Sequence, residues 1–262
     1  MAVVRYERTD DIGHLVLCNP PHNLLGVAFY EDMRDSLHQA ASDTTRALLV
    51  RAEGPNFTSG GDIAAFATMP PGEFRLLASE YHKAFRAIEA LHIPTVAAVR
   101  GSVFGGGVEI ALACDIVVAA DDAEFRQIEV SVGSMPIAGG VQRFAERVGR
   151  ARAAKYAMLS LPLDGRTAAE FGLVAYSAPE DKVEAEALSI ATRLASGPTR
   201  SYAAVRQILK VWSGGGVPAA DAAMLDIAMP LHGTEDAKRG RIARSEALAR
   251  GVEAAPVVFE GR

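Results

Sequence analysis

Two buried strand patterns, each followed at once by a glycine-rich loop, constrain this chain more than any other feature of its sequence. The first pattern covers residues 46–51 and its loop residues 53–62; the second covers residues 94–100 and its loop residues 101–107. A helical pattern follows each loop, so strands and helices alternate along the chain. Such alternation is typical of an α/β fold. We therefore predict an α/β protein in which strands stack in a repeated way.

The two ends of the chain have different patterns. Residues 3–7 and 13–17 alternate or run apolar and are joined by a turn, which predicts a β-hairpin. Strand patterns stop near residue 198, and three helical patterns follow, with a glycine turn at 214–216 between the first two. We expect a core of residues 1–198 and a helical region of residues 199–262.

Composition and charge argue against several classes of function. Hydrophobic residues make up 49% of the 262 residues, and the net charge of −5 argues against nucleic acid as a partner. Only Cys18 and Cys114 are present, and the histidines have no metal-ligand spacing, so we predict no metal site and no resident cofactor. The charged N-terminus has no apolar signal core, and no apolar run is long enough for a bilayer. We expect a cytoplasmic protein that does not contact membranes.

The two glycine-rich loops are candidates for binding a developing negative charge. Each loop presents backbone amides just before a helix, where the helix dipole favours an anion. Two such amides converging on one oxygen would form an oxyanion hole. The alternative is that the glycines only permit tight turns. The second loop lacks the G-x-G-x-x-G spacing of a dinucleotide site.

Two glutamates near these loops are candidates for acid–base chemistry. Glu109 stands in the first turn of an apolar helical pattern, where a buried carboxylate is costly unless it is paired or used. Glu129 stands in a predicted loop. The alternatives are a dipole-favoured helix acid at Glu109 and a solvated or Arg126-paired acid at Glu129. Two such acids can divide the roles of acid and base if their environments separate their pKa values.

Four motifs together resemble the crotonase, or enoyl-CoA hydratase/isomerase, family. They are FTSGGDI at 57–63, GSVFGGGVEI at 101–110, FRQIE at 125–129 and GSMPIAGG at 133–140. The resemblance implies a spiral of stacked ββα units with a C-terminal helical region that mediates trimer formation, often paired into a hexamer. It implies an acyl-CoA thioester as the substrate, so coenzyme A is part of the substrate rather than a cofactor.

The resemblance also implies roles for individual residues. The amides of Gly61 and Gly106 would form the oxyanion hole for the thioester carbonyl. Glu109 would deprotonate the water that attacks Cβ, and Glu129 would deliver a proton to Cα. Contacts with the substrate or its coenzyme A are implied for Asn23, Gly60, Asp62, Ile63, Phe104, Gly105, Pro136 and Gly139.

The sequence departs from the family pattern in places that affect the subclass. Ile128 replaces the usual proline before the second glutamate, and NPPHNLL at 19–25 lacks the arginine of the common pattern. We expect Phe104 to narrow the acyl pocket, and the helix through Phe66 and Met69 to line it. Retention of both glutamates favours a 2-trans-enoyl-CoA hydratase. A Δ3,Δ2-enoyl-CoA isomerase, another crotonase-type lyase, and a non-catalytic acyl-CoA-binding scaffold are the alternatives.

Overall fold

A six-stranded sheet lies at the centre of the computed structural model, which describes residues 2–255 and 257–262. The strands of the described chain are β1 (Val4–Thr9), β2 (Ile12–Leu17), β3 (Ala47–Ala52), β4 (Thr95–Val99), β5 (Ser102–Phe104), β6 (Ile116–Ala120), β7 (Glu124–Arg126), β8 (Leu163–Asp164) and β9 (Tyr176–Ala178). The large sheet has the order β1-β2-β3-β4-β6-β9. β1 and β2 form the predicted antiparallel hairpin, and the later pairs are parallel. The apolar runs of β3 and β4 are buried almost throughout, as parallel strands covered on both faces require.

A second, three-stranded sheet in the order β5-β7-β8 runs beside the first. β4 of the large sheet leads into β5 of the small one, and β6 leads into β7, so the same unit repeats along the chain. Thr58, in the first glycine loop, forms a parallel bridge with Val103 of β5. The two glycine loops therefore lie side by side. The prediction that residues 101–107 form one glycine-rich loop was wrong in part, because residues 102–104 form β5.

Helices cover the sheets and contribute to the wall of the site. They are α1 (Val27–Ser42), α2 (Ile63–Ala67), α3 (Pro71–Ala90), α4 (Gly106–Ala113), α5 (Gly140–Val148), α6 (Arg150–Leu159), α7 (Gly165–Glu170), α8 (Val183–Ala195), α9 (Thr199–His232) and α10 (Glu235–Arg250). Apolar residues at 29, 33, 37 and 41 predict a helix from about residue 27 to 42, which is confirmed by α1. Phe29, Met33 and Leu37 are buried at successive turns, whereas Ala41 is exposed. α4 is buried on all sides, which explains its nearly continuous apolar sequence.

The C-terminal region is helical, as predicted. α9 is interrupted at Gly216, which has φ 67° and ψ −168°, so the predicted glycine turn is confirmed. Arg206 of α9 ties this region to the core by donating to the carbonyl of Ile93 at 2.7 Å and to Asp115 Oδ1 at 2.9 Å. Within the described ranges, no helix is both long enough and apolar enough to cross a membrane. The division at residue 198 and the trimer or hexamer remain predictions.

Candidate active site

An apolar cavity of about 540 Å³ lies where the two glycine loops meet α3 and the loop before α5. Its lining is Leu25, Gly61, Ile63, Phe66, Ala67, Met69, Pro71, Phe74, Tyr81, Phe85, Gly105, Gly106, Glu109, Ile128, Glu129, Val132, Ser134, Met135, Ile137 and Ala138. Both candidate glutamates and both candidate oxyanion-hole glycines therefore line one cavity. The carboxyl groups of the two glutamates are the ionisable groups of this lining apart from the Tyr81 phenol.

Glu109 is held in the cavity wall by backbone amides from another loop. Only 3% of Glu109 is exposed, because α4 is buried on all sides. Its Oε1 accepts hydrogen bonds from the Ala138 amide at 2.7 Å and from the Gly140 amide at 2.9 Å. Burial raises the pKa of Glu109, and the two amides and the Arg143 guanidinium act against that rise. Glu109 is thus an oriented, buried carboxyl group in the first turn of α4.

Glu129 begins a single 3-10 turn, Glu129–Val132, that follows β7. Its Oε2 is buried and has no hydrogen-bond partner among the described residues. Burial, with a smaller contribution from the nearby Glu109 carboxylate, raises the pKa of Glu129 to about 7. Arg126 does not neutralise it, since its Nε donates instead to the carbonyl of Ser160 at 2.7 Å. Glu129 is therefore a carboxyl group that is partly protonated near neutral pH.

The raised pKa of Glu129 predicts a pH-dependent cost in stability. The folded state binds the Glu129 proton more tightly than the unfolded state, so stability falls as the pH rises from about 4.5 to about 7. The full cost is on the order of 3 kcal/mol. We expect Glu129→Gln to be more stable than the parent at pH 8, with a gain about 2 kcal/mol larger than at pH 5. Urea unfolding at both pH values measures this.

Glu124→Gln is the control for that measurement. Glu124 lies five residues earlier in the sequence and is a partly exposed strand residue whose carboxylate is 3.9 Å from Arg126. Its substitution measures how much of the stability change follows from any exchange of glutamate for glutamine in this segment. A Glu129→Gln protein with the same stability gain at pH 5 and pH 8 would show that burial does not raise the pKa of Glu129.

Gly61 and Gly106 bring bare backbone to the cavity beside Leu25. Gly61 forms a parallel bridge with Leu25, and a Cβ added at Gly106 would be 2.3 Å from Leu25 Cδ1. Gly106 is the first residue of α4, so its amide has no acceptor within the helix. A Cβ at Gly61 would be 2.7 Å from Phe66 Cε2, so this position also excludes a side chain. Two amides at such positions can bind a carbonyl oxygen that gains negative charge.

Two of the other predicted substrate contacts, Ile63 and Gly105, also line the cavity. Gly105 has φ 51°, and a Cβ there would be 3.0 Å from Glu129 Oε1. Only glycine therefore allows both the backbone conformation and the approach of Glu129. Substrate contact by these two residues stays a prediction.

The remaining six predicted contacts, Asn23, Gly60, Asp62, Phe104, Pro136 and Gly139, do not belong to the cavity lining. The ring of Phe104 therefore does not narrow this cavity. Asn23 Nδ2 donates to the carbonyl of Glu53 at 3.0 Å and to that of Asn56 at 2.9 Å, so it joins two loops. Asp62 caps α2 by accepting from the Ala65 amide at 3.0 Å. The structure shows these two side chains in positions that support the site, and coenzyme A contacts outside the cavity remain predictions for the six.

Sequence reasoning missed much of the cavity wall. The expected residues Phe66 and Met69 do line the cavity, but so do Phe74, Tyr81 and Phe85 of α3. These α3 residues recur at helical spacing, which does not distinguish a cavity wall from a packed core. The amides of Ala138 and Gly140 were also missed, because a backbone donor leaves no signal in residue type.

Comparisons with known proteins agree with this architecture. The crystal structure of an enoyl-CoA hydratase from Bacillus anthracis superposes with a TM-score of 0.89 at 23% identity, covering 99% of this chain and 100% of that one. That likeness identifies the fold as the crotonase fold predicted from the motifs.

Sequence comparisons place the chain within a family. The family model described as enoyl-CoA hydratase/isomerase matches residues 7–249. A Bacillus subtilis protein named probable enoyl-CoA hydratase is 32% identical over 86% of this chain and 89% of its own. An Escherichia coli protein named 2,3-dehydroadipyl-CoA hydratase is 30% identical over 75% of this chain and 77% of its own. The chain belongs to the enoyl-CoA hydratase/isomerase family.

Proposed function

We propose that this protein adds water across the 2-trans double bond of an enoyl-CoA. The observation that carries the proposal is the placement of Glu109 and Glu129 in one apolar cavity with the glycine amides at 61 and 106. An isomerase needs one base that moves a proton between two carbons. Hydration needs both a base for water and an acid for carbon, and two carboxyl groups in one cavity satisfy that need.

The different environments of the two glutamates assign their roles. Burial raises the pKa of both carboxyl groups, but Glu109 accepts two backbone hydrogen bonds on Oε1, which act against that rise, favour its charged form and suit a base. Glu129 has a pKa of about 7 and an unpartnered Oε2, which favour its protonated form and suit an acid. Because the two carboxyl groups interact, the pH profile reports the pair.

The reaction then balances in protons and electrons. Glu109 takes a proton from water as the water oxygen bonds to Cβ, and the double-bond electrons move to the thioester carbonyl as an enolate. The amides of Gly61 and Gly106 stabilise the enolate oxygen. Glu129 gives its proton to Cα, which restores the carbonyl. The product is a 3-hydroxyacyl-CoA, and proton exchange with solvent resets the glutamates.

The cavity lining favours an uncharged acyl group. No lysine, arginine or histidine lines the cavity within the described part of the chain. A carboxylate on the acyl chain would enter an apolar space that already holds two acidic groups, and an unpaired buried charge is costly. The protein should therefore differ from the Escherichia coli relative named for 2,3-dehydroadipyl-CoA, a substrate whose chain ends in a carboxylate.

The test measures loss of the conjugated enoyl absorbance with trans-2-octenoyl-CoA and with 2,3-dehydroadipyl-CoA. We expect hydration of octenoyl-CoA with a kcat/KM at least about 10²-fold higher than for the dicarboxylic substrate, because burying the unpaired carboxylate costs a few kcal/mol. Glu109→Gln and Glu129→Gln serve as controls, because hydration at this site should be strongly reduced in both variants.

The outcomes separate the alternatives. Conversion of a 3-enoyl-CoA without hydration of any 2-enoyl-CoA would contradict the proposal and identify an isomerase. Binding of acyl-CoA without any turnover would identify a scaffold. Equal kcat/KM for the two acyl groups would leave hydration intact and refute the proposed selectivity.

A further inference from the structure

Arg143 lies outside the cavity lining but contacts the loop that holds Glu109. It is 8% exposed and projects from the first turns of α5. Its Nη1 donates to the carbonyl of Ala138 at 3.0 Å. A Cβ added at Gly139 would be 1.5 Å from Nη1, so the guanidinium occupies the space beside that glycine. Position 139 requires glycine for two reasons: its φ of 110° disfavours any side chain, and the Arg143 guanidinium fills the space that a Cβ would need.

The same guanidinium is anchored on α3. Its Nε donates to Glu89 Oε1 at 2.6 Å and its Nη2 donates to Glu89 Oε2 at 2.8 Å, which is a bidentate ion pair. Such pairs fix the plane of the guanidinium as well as its position. Arg143 therefore joins α3, which lines the cavity through Phe74, Tyr81 and Phe85, to the loop at 138–140.

That loop carries both amides that hold Glu109. The Ala138 residue whose carbonyl accepts from Arg143 also donates its amide to Glu109 Oε1 at 2.7 Å, and Gly140 donates the second bond at 2.9 Å. Fixing the Ala138 carbonyl restrains the peptide groups on either side of Gly139. The orientation of the Glu109 carboxylate then depends on a contact made outside the cavity.

We propose that Arg143 is a positioning residue that acts through Glu109, by bridging Glu89 of α3 to the loop at 138–140. Its role in turnover rests on the proposed function, whereas its effect on the Glu109 carboxyl does not. The charged groups that face Glu109 are Glu129 from the 3-10 turn and Arg143 from α5.

Arg147 provides a matched control on the same helix. It lies one turn after Arg143 and also binds carbonyls, donating to Leu112 at 2.8 Å, to Cys114 at 2.8 Å and to Leu173 at 3.0 Å. None of these contacts involves the loop at 138–140. Arg147→Gln should therefore reproduce a general loss of stability, including any loosening of α4 at Leu112, while leaving the amides of Ala138 and Gly140 on Glu109.

In the kinetic experiment, Arg143→Gln should lower kcat for octenoyl-CoA by about 10–100-fold with little change in KM, because a small displacement of a base slows the chemical step. The acid limb of the profile of kcat against pH should move to higher pH by on the order of one pH unit. The reason is that the Glu109 carboxylate loses a nearby cation and the restraint on its two amide donors. Arg147→Gln should move neither kcat nor the pH limb. In a protein that already carries Glu109→Gln, adding Arg143→Gln should lower kcat little further. The two substitutions act through the same carboxyl group, so their effects on kcat do not add.

A second readout needs no substrate. In protein carrying ¹³C-labelled glutamate, the carboxyl resonance missing from Glu109→Gln identifies Glu109, and its titration gives the pKa directly. We expect that pKa to be higher in Arg143→Gln than in the parent, unchanged in Arg147→Gln, and intermediate in Arg143→Lys, which keeps the charge without the bidentate geometry. If Arg143→Gln does not fold, the pKa of Glu109 is compared between Arg143→Lys and the parent, and a higher value in Arg143→Lys supports the positioning role.

The two readouts distinguish the two proposals. A shifted Glu109 titration in a protein that hydrates no enoyl-CoA would support the positioning role and overturn the proposed function. Active hydration with equal Glu109 titrations in Arg143→Gln, Arg147→Gln and the parent would overturn the positioning role.

Discussion

Replacing Glu129 with glutamine is expected to slow hydration of octenoyl-CoA by about 10²–10⁴-fold while leaving acyl-CoA binding largely intact. The glutamine keeps the size of the side chain but has no acidic proton for Cα. Binding should persist because the cavity wall and the glycine amides are unchanged. Initial rates and direct titration with a non-reactive acyl-CoA measure the two effects separately.

Two controls make this result specific. Glu124→Gln changes a neighbouring acid outside the cavity lining and should keep the parental rate. Unfolding cannot explain the loss, because Glu129→Gln is expected to be the more stable protein at pH 8. Loss of function with a gain in stability is typical of an active-site group buried at a cost. Equal rates for Glu129→Gln and the parent would remove Glu129 from the mechanism.

Removing the Gly106 amide is expected to lower kcat by about 10²–10³-fold, the usual effect of losing one oxyanion-hole donor. Proline removes the N–H and is well tolerated at the first position of a helix, which is where Gly106 lies in α4. Any side chain here also approaches Leu25, since an added Cβ would be 2.3 Å from Leu25 Cδ1. Steady-state kinetics of Gly106→Pro therefore need a reference with the same crowding.

Gly106→Ala supplies that reference. It adds the Cβ but keeps the amide, so the ratio of kcat between the alanine and proline variants separates the crowding at Cβ from the replacement of the N–H by the proline ring. Combining each variant with Leu25→Ala makes room for the new atoms and should leave this ratio unchanged. Equal kcat for the proline and alanine variants would show that the Gly106 amide does not stabilise the enolate.

Much of this protein was predictable because its signals are local. The hairpin, the apolar spacing of α1 and the glycine break in α9 each follow from the backbone preferences of neighbouring residues, and all three are confirmed. The motifs around Gly61, Gly106, Glu109 and Glu129 pointed to the crotonase family. The fold and the family are confirmed by the comparisons.

Other features depended on contacts that no local pattern records. Phe104 belongs to a family motif and lies in β5, yet it does not line the cavity. The residues of α3 that line the cavity have the same apolar spacing as those of a helix packed in a core, so the sequence does not distinguish the two. The two amides that orient Glu109 come from 29 and 31 residues further along the chain, and backbone amides are common to nearly every residue.

The sequence by itself therefore determined the class of fold, the family and the residues suited to acid–base chemistry, since these follow from short motifs and periodic patterns. Only the tertiary structure decided how those residues are placed. It raised the pKa of Glu129 by burying it, and it joined Arg143 to Glu89 across 54 positions of sequence beside the loop that holds Glu109. Burial and long-range hydrogen bonds are properties of packed elements, and they exist only once the chain is folded.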